Sequence, residues 1–301
     1  MIQLAPDIYI ETRFLGVTLG VILSDEAVLC VNAPTLPADA RQWREELAQL
    51  TAAPIQYVIQ QSHQLDYMLG NYAFDAPVLS SEAAAEKMRG YPETFRNQFS
   101  LSGADYEQVT DLGGTRLLGP QVTCTRQLTL YLKRREVRLL HAPGPDSSTL
   151  WVILPGEHIL FAGDSVAAAR PPVFAECRPD DWLASLDLLR KGPYRQYRVV
   201  PGRGRPVEPA DLTRLSRFIR EARRRVERVR ERGKQRSDVA TLVPDFLDYW
   251  QVPPEQRERM RLRLQLGLER LWDVAVAPPA EVLTVLPDLT PPNGLQSPDD
   301  E

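Results

Sequence analysis

Few side chains in this 301-residue chain are suited to chemistry, and most of them fall in short segments. One runs Gln61-Ser62-His63-Gln64-Leu65-Asp66-Tyr67-Met68-Leu69-Gly70-Asn71, a second Leu160-Phe161-Ala162-Gly163-Asp164, and a third Val199-Val200-Pro201-Gly202-Arg203-Gly204. Pro145-Asp146 follows the strand-like run that ends near His141. Asp66, Asp146 and Asp164 are oxygen donors, and His63 adds one imidazole. Gathered together they would favour Mg²⁺, Mn²⁺ or Ca²⁺ over zinc. Arg203 works against a cation, because a guanidinium is permanently charged and has nothing to donate to a metal. It can instead replace the cation. Two aspartates in a cleft without metal are costly unless paired, and a guanidinium pairs with a carboxylate through two parallel N–H groups. The expectation is that Arg203 pairs with Asp66 or Asp164 and holds the cleft in shape. Tyr67 is read as a packing aromatic, with a proton donor in the cleft as the alternative.

Other chemistries leave no trace. No Ser-His-Asp or Cys-His arrangement is readable in order and spacing. There is no GxxxxGK[ST] loop and no strand–GxGxxG–helix unit. The cysteines, Cys30, Cys124 and Cys177, are odd in number and far apart, which argues against a disulfide framework or a cysteine-bound zinc. His63, His141 and His158 are read as polar-loop or surface histidines, His63 having site involvement as its alternative.

Taken in order, the three segments resemble the metallo-β-lactamase superfamily, which carries THxHxDHxxGN after a buried strand, then a GH turn, an (L)F(x)GD turn and a PGHG turn. The resemblance covers roughly residues 8–206 and rests on order, spacing and strand context together. It implies histidines and aspartates holding one or two zinc ions, which lower the pKa of a bridging water. Carried over residue by residue, the first two histidines fall on Ser62 and Gln64 and the last of that motif on Tyr67. The histidine of the GH turn falls on Pro145, or on Asp146 if the loop slips by one, and that of PGHG on Arg203. Only the aspartates, Asp66 and Asp164, match. Gly70, Asn71, Gly163, Pro201, Gly202 and Gly204, which shape the turns, are also present. His63 lies one position off the ligand register and would point the other way in an extended loop.

The elements that must position these segments follow from periodicity. Ile8–Thr12, Gly16–Leu23 and Ala27–Val31 read as strands, the last buried on both faces. Trp43, Leu47 and Leu50 give a helix over 37–50 its apolar stripe, and Ile55–Ile59 follows as a buried strand. Ala83–Met88 reads as a short helix, Val122–Leu132 as two strands or one bent strand, and Val137–Leu140, Leu150–Leu154 and Ile159–Ala162 as three more. Asp180–Leu189 is helical, and Val199-Val200 ends a short strand. The fold class that the resemblance implies is α/β (α+β), an αββα metallo-β-lactamase-like sandwich over 1–210; a helical C-terminal extension over 211–277 and a Pro-rich acidic tail over 278–301, read as disordered, follow it.

Composition bounds the rest. A formal charge of −4 gives no global attraction to nucleic acid or an anionic membrane. Residues 217–236 hold ten bases and three acids. The apolar stripe Leu215, Phe218, Ile219, Ala222, Val226 and Val229 makes that segment a solvated amphipathic helix in preference to a nucleic-acid contact. No apolar run reaches membrane-spanning length, no signal peptide is read at the N-terminus, and the cytoplasm is the default compartment. Three functional readings remain. The first is a non-catalytic binding or scaffold protein without cofactor, acting on a protein partner, in a homo-oligomer, or on a small anion held by Arg203. The second is a hydrolase with a rebuilt, carboxylate-rich site for Mn, Mg, Fe or Zn. The third is a nucleic-acid-associated protein using helix 217–236. Whether Asp66, Asp146 and Asp164 converge, or Arg203 fills the space between them, separates the first two.

Overall fold

The computed structural model describes residues 1–96, 102–110, 112–172, 174, 176 and 178–276, so the tail over 278–301 lies outside the described residues. The strands are β1 (Ile2–Ala5), β2 (Ile8–Glu11), β3 (Leu19–Leu23), β4 (Val28–Val31), β5 (Ile55–Ile59), β6 (Val78–Ser81), β7 (Val122–Cys124), β8 (Gln127–Leu132), β9 (Arg135–His141), β10 (Leu150–Leu154), β11 (Ile159–Gly163) and β12 (Arg198–Pro201). The helices are α1 (Pro37–Leu50), α2 (Glu82–Met88), α3 (Pro179–Arg190), α4 (Pro209–Glu231), α5 (Val243–Tyr249) and α6 (Arg257–Val276).

Alternation of side chains along the strands dictates the layers. In β4, Leu29 and Val31 face one core while Val28 and Cys30 face another; in β10, Leu150, Val152 and Leu154 face the first while Trp151 and Ile153 face a third. Strands apolar on both sides must be covered on both sides. β1 to β7 form a seven-stranded sheet in chain order, and β8 to β12 a five-stranded sheet in the order β12-β11-β10-β9-β8. The two sheets bury Ile10, Ile22, Ile59, Val152 and Phe161 between them. α1 covers the first sheet with Trp43 and Leu47. α3 to α6 cover the second, packing Trp182, Phe218, Phe246 and Leu264 in one cluster with Trp151. The result is a four-layered α/β/β/α sandwich. β4 to β7 run parallel, as do β11 and β12, so the loops leaving β4, β5, β11 and β12 depart from strand C-terminal ends.

Several expected elements differ. β1 and β6 were not foreseen. β6 is Val-Leu-Ser-Ser, with no apolar periodicity; its buried hydroxyls are satisfied by Gln60 O and Ser148 O at 2.7 and 2.6 Å. The run 122–132 is two strands, and they lie in different sheets. β3 begins only at Leu19. The helical extension gains a 3₁₀ segment over Arg236–Leu242 and the short α5. On α4 and the 3₁₀ segment, Arg223, Arg225 and Arg236 are at least partly exposed and engaged. Arg223 pairs with Asp180 and Glu227, Arg225 with Asp245, and Arg236 with Asp273. Among the described residues no helix is long and apolar enough to cross a membrane.

Because α6 shares one apolar cluster with the second sheet, Leu264→Ala should lower unfolding free energy by roughly 2–5 kcal/mol and leave a single transition. Urea unfolding followed by tryptophan fluorescence and by helical circular dichroism tests this; two separated transitions would mean that the helices do not belong to the same cooperative unit.

Candidate functional site

The loop after β5 is bolted to both sheets before any site chemistry begins. Asn32, at φ 61° just past β4, donates from its side chain to Thr18 O and to Gln61 Oε1 and accepts from Gln61 N. Gln61 Nε2 crosses to the second sheet and donates to Leu150 O and Phe161 O at 2.9 and 2.8 Å. Asn71 donates to Gln60 Oε1, closing the loop on itself. Opposite, Gly163 turns β11 outward at φ 56°, a conformation that favours glycine. Gly202 packs so closely that a Cβ there would lie 2.4 Å from Asp164 Oδ1 and 2.5 Å from the Tyr67 hydroxyl. These constraints bring Asp66, Tyr67, Asp164 and Arg203 to one place.

Arg203 is the centre of that place. Its Nη2 lies 3.0 Å from Asp66 Oδ2 and 3.2 Å from Asp164 Oδ2, and its Nη1 lies 3.0 Å from Asp105 Oδ2. The sequence pointed to Asp66 or Asp164 as its partner; the guanidinium is shared by both and by a third carboxylate. The Tyr67 ring lies 5.8 Å from the guanidinium carbon. Tyr67 is fully buried in the core under α1, and burial, reinforced by Asp164, pushes its phenol well above the ordinary range. The tyrosine packs as expected, with its hydroxyl turned to the carboxylate.

Asp105 is the residue that sequence reasoning missed. It sits in a one-turn 3₁₀ loop, and its own N–H and that of Tyr106 donate to the Asp66 carboxylate at 3.1 and 2.8 Å. Arg170 grips it with two parallel bonds of 3.0 and 2.7 Å, and Arg259 from α6 adds a third at 2.8 Å. Burial pushes the Asp105 carboxyl up, but Arg203 and Arg170 outweigh it and hold the group well below the usual carboxylate range. Burial also pushes Asp66 up from its ordinary value, with Arg203 and the two N–H groups opposing. Arg263, one turn along α6, is buried as well and donates to Gly103 O at 2.5 Å. No motif marked Asp105, Arg170, Arg259 or Arg263. One signal was available: Arg263 stands in the stripe Met260, Leu264, Leu268, Leu271, where an arginine has to find polar company inside.

Asp146 belongs to a separate cluster. It is fully buried and accepts from Ser62 Oγ at 3.0 Å and Gln64 Nε2 at 3.2 Å on one oxygen, and from Ser148 N and Oγ at 2.7 and 2.6 Å on the other. His63 Nδ1 lies 2.8 Å from Ser148 Oγ and 3.7 Å from Asp146 Oδ1. A carboxylate only accepts, so the Ser148 hydroxyl hydrogen goes to Asp146 and the imidazole donates to the serine. Of the reading of His63 as a polar-loop or surface histidine, the surface position is thus corrected. The residue is 7% exposed, because the loop turns inward against Ser148 instead of running extended. His158 is exposed, as expected, and half-buried His141 contacts Ser147 O. Pro145 is buried, and its carbonyl accepts from Glu176 N.

The convergence of Asp66, Asp146 and Asp164 as one donor set is corrected too. Ser62, Gln64 and Ser148 fill the coordination of Asp146, while Asp66 and Asp164 share Arg203. Among the described residues no group of three or more His, Cys, Asp or Glu side chains is arranged to hold a metal ion. The residues as placed do not fit the zinc that the sequence resemblance implies, since a cation between Asp66 and Asp164 would meet a guanidinium already within 3.2 Å of both.

The Asp146 cluster gives a pH signature. Burial raises this carboxyl, yet His63 and Ser148 bring it down to about 2, below the roughly 3.9 of an unfolded chain. A depressed carboxyl stabilises the fold above its unfolded pKa, and the contribution is lost as pH falls through the folded value. Urea midpoints of the wild type should therefore fall between about pH 4 and pH 2, and Asp146→Asn should flatten that window. Equal slopes for the two proteins would refute the assignment.

No family model matches the sequence, and no curated protein matches it. Solved structures do. One is a metallo-β-lactamase from Pontibacter korlensis, 16% identical, with a TM-score of 0.58 over 72% of this chain and 97% of that one. Another is the stereoselective inverting sec-alkylsulfatase Pisa1 from Pseudomonas sp., 15% identical, with a TM-score of 0.64 over 91% of this chain and 50% of that one. This chain spans about half the length of the alkylsulfatase, and the 91% share takes in much of the helical extension. Two stacked sheets with helices outside, loops from their strand ends meeting at Asp66, Asp164 and Arg203, and these structural likenesses agree: the fold of this chain is the metallo-β-lactamase fold.

Proposed function

We propose that this chain is a non-catalytic protein of the metallo-β-lactamase fold, with a binding or scaffold role, in which the Arg203 guanidinium takes the position of the cation. The observation that carries this reading is the approach of one guanidinium to three carboxylates, all within 3.2 Å. A positive charge already neutralises the acids that would chelate a metal. The neighbouring ligand slots support the same reading, because Ser62 and Gln64 direct their polar atoms to Asp146. The ion pairs along α4 support a solvated face there over a nucleic-acid contact. The second reading, a carboxylate-rich metal site, would require Arg203 to withdraw and Asp146 to give up its hydrogen-bond partners.

The test is elemental mass spectrometry of protein purified without chelator, followed by titration with micromolar zinc and manganese. The expected outcome is no stoichiometric metal and no uptake. Arg203→Ala should in addition cost about 3–5 kcal/mol, because it leaves buried carboxylates without their common partner. Stoichiometric metal in the wild type, or an Arg203→Ala variant as stable as the wild type, would overturn the reading.

A further inference from the structure

The ion cluster around Arg203 is not balanced. Among the described residues, Arg170, Arg203, Arg259 and Arg263 face Asp66, Asp105 and Asp164, so four guanidiniums meet three carboxylates. Arg263 carries the surplus. It is 3% exposed, has no ion-pair partner among the described residues, and makes its hydrogen bond to a neutral carbonyl, Gly103 O. Its Nε is buried without a hydrogen-bond partner, and so is Arg203 Nη1, which faces Asp105 at 3.0 Å outside hydrogen-bonding geometry. An unpaired buried charge costs several kcal/mol. Burial and the neighbouring Arg170 and Arg203 push the Arg263 guanidinium down to about 9, as expected where positive charge is crowded.

Arg170, Arg203 and Arg263 line a pocket of about 20 Å³ that is partly open to solvent, with the loop over residues 166–172 and Asp164 forming the rest of its lining. That is room for one particle of about the size of a water molecule. A water molecule there would satisfy an N–H group but leave the charge. The one acid among the described residues that line it, Asp164, is turned to Arg203. We propose that this cavity is a binding site for one small monovalent inorganic anion of halide size, held by Arg263 and Arg203 with Arg170 at its edge. The inference goes beyond the non-catalytic reading and does not depend on it: metal in the protein would appear in elemental analysis whatever the halide response.

The experiment measures the thermal midpoint of the full chain in sodium chloride, sodium bromide and sodium gluconate at matched ionic strength. The midpoint should rise by about 2–4 °C between a halide-free buffer and a chloride concentration tenfold above the dissociation constant, with gluconate giving no rise. Arg263→Met keeps the apolar stem and removes the charge, so its midpoint should be the same in chloride and gluconate. Bromide soaked into wild-type crystals should give an anomalous peak between Arg203 and Arg263, a readout that stands even if the variant fails to fold. Identical wild-type midpoints in chloride and gluconate, a halide response retained in Arg263→Met, or a bromide map without that peak would each overturn the proposal.

Discussion

One guanidinium facing three carboxylates, Asp66 and Asp105 buried and Asp164 partly buried, sets the terms for this end of the molecule. None of the four groups would be tolerable alone at such depth, since an isolated buried charge is far less stable than one in water. Each therefore makes the others admissible. The arrangement also explains how a single 3₁₀ turn can carry Asp105 into the interior. Asp105 brings two backbone N–H groups to Asp66 while its side chain meets Arg170, Arg203 and Arg259. Loop order, helix position and charge compensation are one problem with one solution.

The helical extension takes part in that solution. α6 packs against α4 and α5 within the apolar cluster that covers the second sheet and, from the same helix, sends Arg259 and Arg263 toward the site. Gly103 marks the closeness of the contact: at φ 80°, a Cβ on it would lie 2.9 Å from Arg259 O. The helices thus bury the outer face of a sheet and complete an ion cluster.

Much of this was readable in the sequence. The family resemblance carried by the ordered segments at 61–71, 160–164 and 199–204 implied the stacked sandwich and the meeting of Asp66, Asp164 and Arg203, and α1 and β5 fell at their expected bounds. What was not readable came from long range. Asp105 lies in a segment without periodicity or motif, and only tertiary packing brings it near Asp66, 39 positions away. Asp146 looked equivalent to the other acids on paper; its separation reflects the local hydrogen bonds of Ser62, Gln64 and Ser148. β6 escaped because two of its four residues are serines whose hydroxyls are satisfied across the chain. Arg263 was legible in principle, as a charged residue inside an apolar stripe.

The bracing of the loops by Gln60, Gln61, Asn32 and Asn71 has a consequence for protein engineering. Those amides tie backbone to backbone and do not touch Arg203 or its carboxylates, so the frame is held independently of what it frames. A designer who kept these four residues together with Gly163 and Gly202 would have a rigid, preorganised pocket rim on two sheets. Its inward side chains could then be exchanged as a complete set for another charge-balanced arrangement.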